Sequence, residues 1–119
     1  MNRTIISGRL VKDPDIRTTP NGKQMVQITL AVQKPVKNQQ GEYESIFVNC
    51  VAWGKTAELV GKSCKKGHRL LVEGWLNIRS YDDRTGTKKW VTEVIADRVE
   101  FLERKETRMQ DMGEEVSFD

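Results

Sequence analysis

The sequence predicts an all-β fold, a five-stranded Greek-key barrel with one short helix between its third and fourth strands. Three observations carry that expectation. Apolar residues recur with a period of two in several separate stretches, the pattern of half-buried strands. Clusters of Gly, Pro, Asn and Asp punctuate those stretches with turn chemistry. A single segment near the middle of the chain reads as a helix, and it is too short to form a core of its own. At 119 residues, 37% of them hydrophobic, the chain is long enough for one domain with a modest core.

The first strand is expected over residues 4–12 (TIISGRLVK) and the second over 23–34 (KQMVQITLAVQK). In the second, Val26, Ile28, Leu30 and Val32 share one face while Gln27 and Thr29 take the other. Pro14-Asp15 and Thr19-Pro20-Asn21-Gly22 lie between them, and Asn-Gly adopts positive φ cheaply, so the two strands should form a hairpin with a short excursion. Residues 35–43 (PVKNQQGEY) are polar and carry Pro and Gly, which reads as a surface loop. The third strand is placed at 44–53. A short helix then runs from Thr56 to Cys64 and is stopped by Lys65-Lys66-Gly67, with basic residues in the last turn and glycine just past it. Residues 69–81 give the fourth strand, 82–87 with Gly86 a turn, and 88–102 the fifth. Gly8 and Gly74 fall inside strands and mark places where a sheet bends sharply. Beyond residue 103 the apolar periodicity ends. The domain plan is therefore a barrel over 1–103 and a short acidic tail over 104–119 that is expected to be disordered.

Charge is unevenly distributed. The segment from Glu103 to Asp119 holds six acids and three bases, so the net charge of +3 resolves into −3 there and +6 on residues 1 to 102. A basic body with an acidic tail fits a body that meets a polyanion.

Catalytic and metal chemistry find little support. Gly54-Lys55-Thr56 invites a P-loop reading, but that motif needs a first glycine where this chain has Asn49, and residues 46–52 are strand material. His68 is the only histidine and is expected to be a solvent-facing strand residue. Cys50 and Cys64 lack paired spacing or neighbouring histidines, which argues against structural zinc, and Cys50 reads as a buried thiol. Asp82 and Asp83 sit in a turn, where acids bind backbone N–H groups. No catalytic, metal or cofactor site is expected. The N-terminus lacks an apolar signal region and no long apolar run exists, so the expectation is a cytoplasmic protein with no membrane association.

The aromatic residues suggest the ligand. Phe47, Val51 and Trp53 share strand parity with Asn49, and Ile46, Val48, Cys50 and Ala52 share the other, so both faces of this strand are largely apolar. One face can line the barrel; the other must meet a ligand or a second subunit. Trp75, Asn77, Arg79 and Tyr81 alternate along the fourth strand, and Trp90 follows Lys88 and Lys89 in the fifth. Rings interleaved with cations suit single-stranded nucleic acid, because unstacked bases stack on the rings while the backbone meets the charges. Backbone charge and stacking are common to DNA and RNA, so this chemistry does not separate them.

Several blocks, in order, resemble the bacterial and phage single-stranded DNA-binding protein family: Asn2-Arg3, GRLVKDPDIRTTPNG at 8–22, ITLAV at 28–32, QQGE at 39–42, FVNCVAWGKTAELV at 47–60, KKG at 65–67, EG at 73–74, RSYDDRTG at 79–86 and VTEVIADRVEFLE at 91–103. The resemblance implies a homotetrameric OB-fold protein that binds and protects single-stranded DNA during replication, recombination and repair, without catalysis. It implies base stacking by Phe47, Trp53 and Tyr81 and backbone contacts by Arg3, Lys55, Lys66 and Arg79; the residues themselves add Trp75 and Trp90 as further rings, Trp75 serving either DNA or subunit packing, and Lys88 and Lys89 for their place beside Trp90. Val36 stands where the family usually has an aromatic residue, which removes one stacking position. Family tails commonly end in an acidic tip closing on Pro-Phe that recruits replication and repair proteins. Here the end reads EEVSFD, so Glu114, Glu115, Phe118 and Asp119 resemble a shortened or divergent tip. The resemblance further implies a location with the nucleoid, or in the host cytoplasm for a phage-encoded copy. The other reading is an OB-fold protein-interaction or primosome-like accessory subunit that binds nucleic acid weakly.

Overall fold

In the computed structural model, which describes residues 1–102, strands β1 (Thr4–Leu10), β2 (Asp15–Thr18), β3 (Gln24–Lys37) and β4 (Tyr43–Trp53) precede helix α1 (Gly54–Ser63), and β5 (Arg69–Asp82) and β6 (Lys88–Phe101) follow it. Sheet order is β1-β5-β6-β4-β3-β2, and pairing of Arg9 and Leu10 with Ala31 and Leu30 joins β1 back to β3. The five long strands thereby close into a barrel, with β2 as an appendage paired only to β3. All pairings are antiparallel except β4 with β6, which run parallel over Cys50–Ala52 and Val94–Ala96. This is the OB-fold arrangement expected from the sequence.

The excursion between the first two long strands contains the short strand β2, which the turn residues around it had concealed. The segment 35–43 departs further from the sequence expectation. Strand β3 continues to Lys37 and β4 begins at Tyr43, leaving a turn of only a few residues. The ladder is irregular between Gln33 and Lys37, which gives Pro35 a place in the strand where it need not donate a hydrogen bond. Helix α1 starts at Gly54, immediately after β4, and buries Ala57 and Val60 against the barrel.

The core follows the alternation. Leu10, Val26, Ile28, Leu30, Cys50, Ala52, Leu70, Val72, Val94 and Val99 are buried together with Ala57, Val60 and Cys64. Val51 is buried as well, where β6 closes against β4 and sets it opposite Ile95. Strand 46–53 is therefore less two-sided than its sequence suggests, and its exposed apolar residues are Ile46, Phe47 and Trp53. Burial pushes the Cys50 thiol up to about 12 and the Cys64 thiol up to about 11, which keeps both in the protonated, unreactive form at neutral pH. The folded protein should accordingly resist a thiol-specific disulfide reagent at pH 8, whereas urea-unfolded protein should react at both cysteines; fast reaction of native Cys50 would show that the barrel opens readily.

One irregularity sets the register of the functional face. Glu73 pairs with Arg98 while Gly74 pairs with Ala96, so Asp97 is an extra residue on β6. Val99 and Ala96 are an odd number of residues apart, yet both point inward because the bulge resets the alternation. Beyond it, Val94 stays inside while Glu93 and Ile95 fall on the same face as Trp75, Asn77 and Arg79. Past Gly74, β5 pairs only with β6, and before Val94, β6 pairs only with β5. The two strands thus continue as a ribbon. Its root is pinned by Asn2, whose side-chain amide donates to the Leu76 carbonyl at 2.8 Å and accepts the Leu76 N–H at 2.9 Å.

Candidate nucleic-acid interface

The face that β4 and β5 turn outward holds a shallow groove of about 470 Å³ lined by Met25, Gln27, Val51, Trp53, Trp75, Asn77, Arg79, Glu93 and Ile95. Trp53 and Trp75 come from different strands that β6 brings side by side. Glu93 is the only buried charged residue among the described ones, 5% exposed, and it accepts hydrogen bonds from Asn77 Nδ2 and Arg79 Nε, each at 3.1 Å. The groove adjoins a polar hollow that adds Lys12, Asp15, Thr29 and Asn49 to its lining. There the Thr29 hydroxyl donates to Asn49 Oδ1 at 3.0 Å.

Along β4, alternation puts Phe47 and Tyr43 on the Trp53 face. Phe47 is 69% exposed, and its partner across the ladder is the small Ala31, so the ring has open space above it. Tyr43 carries Lys37 Nζ 5.7 Å from its ring centroid. The polar, loop-like composition of 35–43 conceals Tyr43 in the sequence, although its parity with Phe47 and Trp53 marks it. Four residues of strand separate Tyr43 from Phe47 by about 13 Å, a distance that an extended single strand readily spans.

Along the ribbon, Tyr81 faces Lys89 on the same side as Arg79. The other face carries Leu76, Ile78, Trp90 and Lys88, with Lys88 Nζ 5.8 Å from the Trp90 ring centroid. Trp90 is thus exposed away from the groove, on the same face as apolar Ile78 and Leu76. Arg3 also lies apart: its guanidinium pairs with Asp97 at 2.9 Å and approaches Glu73 at 3.9 Å, on the side where Arg98 also meets Glu73. Lys66 is in the turn before β5, its backbone N–H bound to Asp13 at 2.8 Å. His68 in the same turn is half-buried, and its Nδ1 accepts the Lys65 N–H at 3.0 Å, so it shapes the turn.

Lys55 is in the first turn of α1, where no acidic residue offsets it and no side chain caps the helix. A cation there opposes the helix dipole. Trp53, Lys55 and Lys23 line one hollow at the end of β4, together with Glu58. At the ribbon tip, Asp83 Oδ1 accepts the Thr85 hydroxyl and the Thr85 and Thr87 N–H groups, bonds that hold its carboxyl below the usual range and tie the turn that precedes Lys88 and Lys89. Glu114, Glu115, Phe118 and Asp119 lie outside the described residues.

A closed barrel presenting a long, open face of rings and cations is a binding module for an extended ligand. The chain belongs to the single-strand binding protein family, whose model matches residues 1–102. It is 47% identical over 110 residues to a single-stranded DNA-binding protein of Halalkalibacterium halodurans, covering 92% of this chain and 66% of that protein. It is 52% identical over 103 residues to the Bacillus cereus protein of that name, covering 87% of this chain and 61% of the relative. With single-stranded DNA-binding protein 2 of Staphylococcus aureus it shares 47% identity over 110 residues, covering 92% of this chain and 79% of the relative. The matched segment thus spans a little under two thirds of the Halalkalibacterium and Bacillus proteins.

Proposed function

We propose that this chain binds single-stranded DNA without sequence preference and protects it during replication, recombination and repair, with no catalytic step. The observation that carries the reading is the single face on which Tyr43, Phe47, Trp53, Trp75 and Tyr81 alternate with small or polar residues around Arg79. Rings from two adjoining strands offer bases a track, and Arg79, Lys55 and Lys89 supply cations for the backbone. Tyr43 with Lys37 takes up the stacking role that Val36 cannot fill. Arg3 and Lys66 contribute at the margin, and Arg3 does so only by exchanging Asp97 for a phosphate. Titrating poly(dT), poly(U) and a duplex while following tryptophan fluorescence tests the reading. Tight binding of poly(dT) with weak duplex binding supports it; equal binding of all three would leave only a basic surface.

Self-association accounts for the surfaces that the DNA face does not use. Leu76, Ile78 and Trp90 form an exposed apolar face on the ribbon, and Ile5 is exposed on β1, whose pairing to β3 covers only Arg9 and Leu10. A closed homotetramer would bury this surplus. Sedimentation equilibrium should give a tetramer at micromolar concentration, and Ile78→Glu should shift it toward smaller species; a stable monomeric wild type would refute the assembly. These same surfaces favour a protein-interaction role only if the wild type stays monomeric and binds poly(dT) weakly. The reading places the chain in a reducing cytoplasm with the nucleoid, and the tip from Glu114 to Asp119 as a docking peptide for replication and repair proteins.

A further inference from the structure

A buried carboxylate in the middle of a DNA-binding face is unexpected, because its charge repels the ligand. Glu93 nevertheless sits in the lining of the groove, directly across from Asn77 and one step past Trp75 along the ribbon, and also lines the adjoining polar hollow. Its surroundings show what it does. Both hydrogen bonds to Glu93 come from donors on β5 directly across or beside it, Asn77 Nδ2 and Arg79 Nε. Arg79 is bound through Nε alone, its side chain is half exposed, and its terminal nitrogens have no partner among the described residues. A guanidinium tethered at Nε keeps its outer edge free in a fixed plane, which is the geometry a phosphate accepts in a two-point contact.

We propose that Glu93 is a positioning residue for DNA binding: it fixes the Arg79 guanidinium and the Asn77 amide so that Arg79 presents its outer edge to a backbone phosphate where the groove runs onto the ribbon past Trp75. The inference rests on the reading of this face as the single-strand interface. Lys12 and Asp15, the other charged residues lining the hollow, make no hydrogen bond to Glu93. The Asp97 bulge is part of the same device, since regular alternation from Val99 through Asp97, with no bulge, would turn Glu93 inward.

The proposal predicts an effect opposite in sign to simple electrostatics. Glu93→Gln removes a negative charge from the DNA path, so a merely repulsive carboxylate would yield tighter binding. A positioning carboxylate yields weaker binding, on the order of tenfold for one charge-assisted hydrogen bond. The slope of log K against log salt should fall in magnitude by about 0.7 as Arg79 ceases to neutralise one phosphate. The experiment measures dT oligonucleotide affinity across a salt series for the wild type, E93Q, R79A and E93Q/R79A, with fold and assembly checked by thermal unfolding and sedimentation. E93Q should lose affinity and slope together, and it should cost nothing further on the R79A background, because there is then no guanidinium to position. Tighter binding by E93Q, unchanged affinity and slope, or a full E93Q loss persisting in R79A would each overturn the proposal. Arg79→Lys decides the case even where E93Q fails to fold. Lysine keeps the charge but not the tethered plane, so R79K should weaken binding several-fold, and wild-type affinity in R79K would refute positioning. A wild type that fails to bind the oligonucleotide would overturn the functional reading itself; a binding wild type with indifferent variants would overturn only the role of Glu93.

Discussion

Gly74→Ala is expected to destabilise the barrel by about 3 kcal/mol or more, or to prevent folding outright. A Cβ at this position would lie 1.8 Å from the Ile95 carbonyl oxygen, 2.7 Å from its carbonyl carbon and 3.0 Å from the Ala96 Cα. All three are backbone atoms, so no side chain can rotate away to make room. Relief requires β5 and β6 to part at the place where the Asp97 bulge is inserted, and that register holds Val94, Ala96 and Val99 in the core. A domain of this length loses about 4–8 °C of Tm per kcal/mol, so a folded G74A should melt at least about 12 °C below wild type. Urea unfolding followed by tryptophan fluorescence would measure the difference. A loss under about 1 kcal/mol would mean that the bulge migrates along β6 at little cost, and the link from bulge to functional face would fail with it. Gly86→Ala is the control, because its φ of +83° strains an L-residue but its Cβ would meet open space.

The barrel was legible because most of its strands bury one face and expose the other. Val26, Ile28 and Leu30 are buried as their spacing requires, and the turn at Gly86 lies where glycine marked it. The extension of β3 through Pro35 was hidden because a polar run with proline obeys the statistics of loops, whereas the ladder irregularity that accommodates it depends on the partner strand. The aromatic stations on β4 follow from parity, but their neighbours do not. That Val51 lies opposite Ile95, that Trp53 shares a groove with Trp75, and that Trp90 faces away from both depend on how β6 inserts beside β4 and on the single extra residue at Asp97. Val94, Ala96 and Val99 carry that break in their spacing, visible once a bulge is considered. For Arg3 the sequence position carries the expectation of a backbone contact but not its neighbours: Asp97 and Glu73, which the fold brings to its guanidinium, lie far along the chain.

Replacing Phe47 or Trp53 with alanine should cost about 1–3 kcal/mol of single-strand affinity per base unstacked, with little dependence on base identity, since every base presents a π-face. Neither ring is needed to fill the core: Phe47 is largely exposed opposite Ala31, and Trp53 lies at the junction of β4 and α1 with its face toward the groove. Their removal should therefore lower affinity without shifting the salt slope, because stacking releases no counterions. Neutralising Lys55 should do the reverse. It should weaken binding to all sequences alike and reduce the salt slope by up to about 0.7, the share of a single phosphate on a single strand. It should also leave the fold intact or slightly stabilise α1, where a first-turn cation opposes the dipole. One salt series on each variant separates the two signatures, provided that sedimentation shows the assembly unchanged. Wild-type poly(dT) affinity in intact F47A and W53A assemblies would make both rings structural and would move the DNA path elsewhere. A slope change in W53A equal to that of the Lys55 variant would mean that the ring serves chiefly to hold Lys55 in place, because Trp53, Lys55 and Lys23 share one hollow at the mouth of the helix.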